Sequence, residues 1–192
     1  VEIFDRIAWT NREPWTPVTA LGVTGAAAFV AYVAYWTWFG DGWVPLVDDA
    51  NLAVHEAGHP LAGIFGARRS VYGGTLAQLL MPAICMFEFW RRRWALSYGL
   101  CAIWFGQSLS NVARYVADAR AMQLPLVGFS DHPLHDWNLI LSRWGLLQQD
   151  LALANGLRAL AWLGIAAAVG FLVYRWSQGP AADAEAVRFR GD

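Results

Sequence analysis

Residues 18–39 read VTALGVTGAAAFVAYVAYWTWF. They lie in a charge-free run from residue 14 to residue 40, long enough as a helix to cross the roughly 30 Å hydrocarbon core of a bilayer. Its glycines and alanines permit close helix packing. Tyr35, Trp36, Trp38, Phe39 and Trp43 place an aromatic belt at its far end. The run is longer, and more aromatic at that end, than a cleaved signal peptide.

Working outward, further uncharged runs cover 70–87, 94–113 and 159–174, the last flanked by Arg158 and Arg175. Residues 46–67 would be another span but for their charges. Composition agrees: 57% of the 192 residues are hydrophobic and 15% charged, an apolar share above the globular norm. A net charge of −1 gives no basic surface for nucleic acid. All 14 basic residues are Arg, a GC-rich, bacterial coding bias that carries no mechanism and points to the inner (cytoplasmic) membrane. Cys85 and Cys101 sit in apolar runs as buried hydrophobes, without a disulfide framework. The expectation is an all-α, polytopic helical membrane bundle of about five to six membrane segments. It forms one integral-membrane domain over residues 1–178, followed by a flexible polar tail over 179–192.

Arginine placement sets the expected topology. Arg6 and Arg12 precede the first span, and Asp41, Asp48 and Asp49 follow it, which puts the N-terminus in the cytoplasm. If the 46–67 helix returns, Arg68 and Arg69 lie inside. A full crossing by residues 70–90 would then leave Arg91, Arg92 and Arg93 outside. The glycine pair and proline of YGGTLAQLLMPAI (72–84) offer a re-entrant or broken segment as the solution, with a simple span as the alternative.

Residues 51–63, NLAVHEAGHPLAG, carry the chemistry. His55 and His59 are four apart, on one helix face, the spacing with which two imidazoles grip one metal ion. Glu56 follows the first of them and is placed to act as general base toward a water activated by the ion. Gly58 keeps the helix surface slim where a substrate or neighbouring helix approaches. A chance pattern of this kind in a soluble helix means little. Within a membrane, where ionisable groups cost several kcal/mol, it marks a functional site.

HEAGH in a hydrophobic helix followed by further spans resembles the site-two-protease class of intramembrane zinc metallopeptidases. The resemblance implies one zinc ion held by the two histidines and a distant carboxylate, and hydrolysis of a peptide bond within or beside the bilayer. That class takes its third ligand from an Asn-Pro…Asp-Gly segment, which this sequence lacks; Asn111 and Asp118 are the nearest analogue. No GxxxxGK[ST] is present, which excludes the ATP-dependent membrane zinc proteases. The extended HExxHxxGxxH pattern fails at Ala62 and Phe65.

The third ligand stays open. Gln107, Asn111, Arg114 or Tyr115, and Asp118 recur at helical spacing as a polar stripe, and Asp118 at its end is the first candidate. His135 in SDHPLHDW (130–137) is the second. Asp136 is the third, unless it caps a helix starting at Trp137. Glu88 is set aside as the ion-pair partner of Arg91 and Arg92. Asn111 is a candidate oxyanion donor, and Gln78 a candidate for holding substrate backbone or for satisfying the chain around Pro82.

Two functions from different classes follow. One is a membrane-embedded zinc metalloendopeptidase with Glu56 as base, acting on a membrane protein or peptide. The other is a non-catalytic, metal-holding structural subunit of a larger membrane complex with partner subunits. A metal-dependent lipid hydrolase is a minor third.

Overall fold

The computed structural model describes residues 14–127 and 135–188, with side chains to residue 179. Every regular element among the described residues is helical: α1 (Ala20–Trp38), α2 (Val47–Gly63), α3 (Ala67–Arg91), α4 (Ala95–Ala117), α5 (Asp136–Trp144), a short 3-10 turn (Leu147–Gln149) and α6 (Asp150–Arg188). Helices α1 and α3, and the stretch Leu147–Gly179, are long and apolar enough to cross a membrane. Of the five to six membrane segments expected from the charge-free runs, these three meet the length and hydropathy of a crossing helix. Helix α6 kinks at Gly179 (φ 62) and continues to Arg188.

Sequence explains the starts of the first two helices. Thr19 caps α1 by accepting the Gly22 amide at 3.1 Å. The two acids at the head of α2 turn back onto the incoming chain: Asp48 accepts the Val44 amide at 2.7 Å, and Asp49 accepts the Leu46 amide at 2.8 Å and the Trp43 indole at 3.1 Å. Negative charge at that helix end also opposes the dipole.

The re-entrant reading of residues 70–90 is not what forms. α3 is one continuous helix of 25 residues with Pro82 inside it, about 37 Å long. The error lay in taking 46–67 as a full crossing. The Thr16 amide donates to the Arg93 carbonyl at 2.8 Å, the Ala95 amide donates to Thr16 at 3.0 Å, and Arg175 donates to the Trp15 carbonyl at 3.0 Å. The start of α1, the α3–α4 turn and Arg175 of α6 therefore share one end of the bundle. At the other end Arg114 of α4 donates to the Asp41 carbonyl just past α1, and Arg120 pairs with Asp150 at the head of α6. α2 starts partway down: Asp48 and Asn51 meet Gln107, halfway along α4. Arg91–Arg93 thus join the end where residue 14 begins, and Arg68 and Arg69 lie at the opposite end of α3.

Small residues set the spacing. α2 and α3 pack as an antiparallel hairpin in which Gly58 and Gly73 face one another; a Cβ on either would strike the other's carbonyl oxygen. α4 runs along α6, with Gly99 against Leu172 and Gly106 against Ile165. Ala26, Ala95, Ile103, Ile165 and Leu172 form the apolar core between α1, α4 and α6.

Candidate metal centre

His55 and His59 project from one face of α2 as their spacing requires, with ring centroids 5.0 Å apart. Opposite them stands Asp136, the first residue of α5. Its Oδ2 lies 3.1 Å from His55 Nε2 and 3.3 Å from His59 Nε2. The three residues offer ligand atoms all within 4.8 Å of one another. Four donors on a tetrahedron of roughly 2.0–2.1 Å bonds stand about 3.3 Å apart, so this spacing suits one ion of that size.

The outer nitrogens fix the protonation pattern. His59 Nδ1 lies 2.9 Å from the Ser70 carbonyl oxygen, which can only accept, so Nδ1 carries the proton. His55 Nδ1 lies 3.2 Å from Gln78 Oε1. Gln78 is oriented with its oxygen toward His55 because its Nε2 donates to Asn111 Oδ1 at 2.9 Å and faces the Ser108 carbonyl at 3.5 Å. In the neutral rings both Nε2 atoms therefore present lone pairs, and they face a carboxylate. Burial pushes the Asp136 carboxyl up, but its hydrogen-bonding contacts with His55 and His59 outweigh this and hold it below the usual carboxylate range. Two lone pairs and an anion at contact distance need a cation between them, either protons or a metal ion. An imidazole whose far N–H is tied to an oxygen is the usual arrangement around a bound metal.

Space for His55 is made by α3. Its imidazole lies against Gly74, and a Cβ there would overlap the ring. Tyr115 of α4 places the carboxylate: its hydroxyl accepts the Asp136 amide at 3.0 Å. Glu56 lines the same cavity as His55, His59 and Asp136, a space of about 290 Å³ that also reaches Arg114 and the 124–127 segment.

The other candidates take different places. Asp118, the first choice for third ligand, is the C-cap of α4 and lies outside the group. Its carboxylate accepts the Gln123 amide at 2.9 Å and the Leu124 amide at 3.0 Å, and faces His135 Nε2 at 3.2 Å. It thus ties residues 123 and 124 to His135. His135 is the N-cap of α5, and its Nδ1 accepts the Asn138 amide at 3.2 Å. The proton is therefore on Nε2, pointed at Asp118, and no lone pair remains for a metal. Burial holds this imidazole below its usual pKa in spite of Asp118. Because His135 caps the helix, Asp136 does not, and its carboxylate is free for the histidine pair. Gln78 has both polar ends committed within the protein, so it orients His55 rather than waiting for substrate backbone. Asn111 lines the cavity with its oxygen bonded to Gln78 and its amide donating to Asp48, which leaves one of its two amide hydrogens for a further acceptor. Glu88 pairs with Arg91 and Arg92 as expected. His132 lies outside the described residues.

Sequence reasoning missed Tyr115 as the positioner of Asp136, although the polar stripe touched it. It also missed Ser70, whose contribution is a backbone carbonyl and carries no side-chain signal. Comparison with known proteins finds no relative: no family model, no curated protein and no solved structure matches the chain.

Proposed function

We propose that the protein is a membrane-embedded zinc metallopeptidase that cleaves its substrate at the membrane–water interface. The observation that carries this is the convergence of two imidazole lone pairs and the Asp136 carboxylate beside Glu56 in an open cavity. Two histidines and a carboxylate make a nitrogen–oxygen donor set suited to zinc. Three protein donors leave a fourth position, whereas a structural site normally closes all four. Among the described residues no fourth His, Cys, Asp or Glu joins the group, which favours the catalytic reading over the metal-holding subunit.

When bound, the ion supplies an electrophile that acidifies a water molecule toward neutrality and polarises the scissile carbonyl. His55 and His59 hold their tautomers through Gln78 and Ser70. Glu56 takes the proton as the water oxygen forms its bond to the carbonyl carbon. It then delivers that proton to the amide nitrogen as the carbon–nitrogen bond breaks, so that one water is consumed and an acid and an amine are released. Asn111 offers an N–H toward the developing oxyanion.

Depth supports action beside the bilayer. Tyr115 lies 20 residues along α4 from Ala95 and Trp38 lies 18 along α1 from Ala20, roughly 30 Å and 27 Å from the shared starting end. The site is therefore level with the aromatic belt of α1, at the interface. Arginines stand at both ends of the bundle, Arg91–Arg93 and Arg175 where residue 14 begins, and Arg68, Arg69, Arg114 and Arg120 at the end that holds the site. Side-by-side zinc content and peptide cleavage of wild type and Glu56→Gln test the proposal. We expect equal zinc, near one per chain, and cleavage by the wild type alone. Equal cleavage by both proteins, or none by a zinc-loaded wild type across a broad peptide library, overturns it.

A further inference from the structure

Arg114 lines the same cavity as Glu56 and the metal-ligand group. It is held there with unusual care. Its side chain packs against Gly42, where a Cβ would lie 3.2 Å from Nε, and Gly42 itself sits at φ +81, a conformation that glycine adopts without strain. Nη2 donates to the Asp41 carbonyl at 3.3 Å, and the guanidinium carbon stands 6.0 Å from the Trp43 ring. The turn after α1 thus grips the arginine by its stem, by a carbonyl and by an aromatic face. None of these partners carries a charge that answers the guanidinium.

Glu56 lines the same cavity but forms no ion pair with Arg114, and the other neighbouring acids are engaged elsewhere. Asp41 Oδ1 accepts the Trp43 amide at 3.0 Å, Asp48 serves Val44 and Gln107, Asp118 serves the 123–124 amides, and Asp136 faces the histidines. Among the described residues no carboxylate forms an ion pair with Arg114 or with Arg68, Arg69, Arg143 and Arg158, but Arg114 alone of these lines the cavity. A guanidinium fixed in a partly enclosed cavity, with most of its five donors unused, presents a fork that fits a carboxylate in two-point fashion.

From this geometry we infer that Arg114 is the specificity residue of the site and receives a carboxylate of the substrate. The inference rests on the peptidase reading and deepens it. The substrate is a peptide with a carboxylate near the scissile bond, either its C-terminal carboxylate or an Asp or Glu side chain. Arg114 holds that group while the carbonyl to be cleaved faces His55, His59 and Asp136.

The test uses the full-length, zinc-loaded Glu56→Gln protein, which retains the site without turnover. Fluorescently labelled peptides of one sequence are offered in three forms: free C-terminal carboxylate, C-terminal amide, and amide with one internal Asp changed to Asn. Equilibrium binding is read directly, and zinc content verifies the fold of every variant. We expect at least a tenfold loss of affinity when the responsible carboxylate is removed. The amide step or the Asp→Asn step identifies which source it is. Arg114→Gln should erase that difference by weakening the carboxylate form most, and Arg114→Lys should restore part of it. In the active protein Arg114→Gln should raise KM for the carboxylate substrate by a larger factor than for the amide substrate. Peptide binding that ignores both carboxylates, or a preference that survives Arg114→Gln, overturns this inference alone. Failure of zinc-loaded protein to bind any peptide overturns it together with the peptidase reading.

Discussion

Two groups of histidine–aspartate contacts in this protein have nearly the same lengths and opposite meanings. His55 and His59 meet Asp136 at 3.1 and 3.3 Å, and His135 meets Asp118 at 3.2 Å. In the first set the outer nitrogens donate hydrogen bonds to Gln78 and Ser70, so in the neutral rings the inner nitrogens face the carboxylate as lone pairs. In the second the outer nitrogen accepts the Asn138 amide, so the inner one carries a proton and the pair is complete. The partner of the far nitrogen, rather than distance or burial, decides whether a histidine–carboxylate contact is a ligand set or a finished hydrogen bond.

The largest effects should come from the ligands themselves. His55→Ala or His59→Ala is expected to lose stoichiometric zinc, as measured by metal analysis after dialysis, while Glu56→Gln keeps it. Zinc persisting in the double histidine variant would remove the site altogether.

Next in size is steric exclusion. Gly74→Ala puts a methyl group where the His55 ring lies. Overpacking of this kind costs about 1–3 kcal/mol, and the ring must move, so both thermal stability and zinc affinity should fall. Gly164→Ala, where a Cβ meets nothing within 4 Å, is the matched control. Equal behaviour of the two variants would mean that α3 does not confine His55.

A smaller loss is expected from the outer hydrogen bonds. Gln78→Leu frees His55 Nδ1 and should weaken zinc binding by roughly 10–100-fold without abolishing it. The hydrogen bond to Asp136 lifts the His59 pKa to about 9 when no metal is bound, and the metal must displace that proton, so affinity should also rise with pH up to about 9. A pH-independent affinity would speak against histidine ligation.

Much of this was legible in the sequence. Charge-free runs located α1, α3 and α6, and the motif placed His55, Glu56 and His59 on one face of α2. From sequence Asp136 ranks only third, since nothing local ties it to the pair, whereas Asp118, ranked first, clasps the Gln123 and Leu124 amides. That clasp depends on two backbone amides, which leave no mark in the sequence. Histidine is also an uncommon N-cap, so the HDW turn read more readily with Asp136 as cap than with His135. The topology error had one source as well: α2 was counted as a full crossing, whereas Asp48 and Asn51 meet α4 at half its length. Cysteine labelling at positions 69 and 92 should accordingly report opposite sides of the membrane, and labelling from the same side would restore the re-entrant segment.

The most direct test is a comparison of zinc affinity in Asp136→Asn and Asp118→Asn. Asp136→Asn removes the anion facing both lone pairs and is expected to release the metal under conditions where wild type retains it. Asp118→Asn disturbs the 123–124 loop and lowers stability, yet should keep zinc near one per chain. A metal site emptied by Asp118→Asn and preserved in Asp136→Asn would contradict the account.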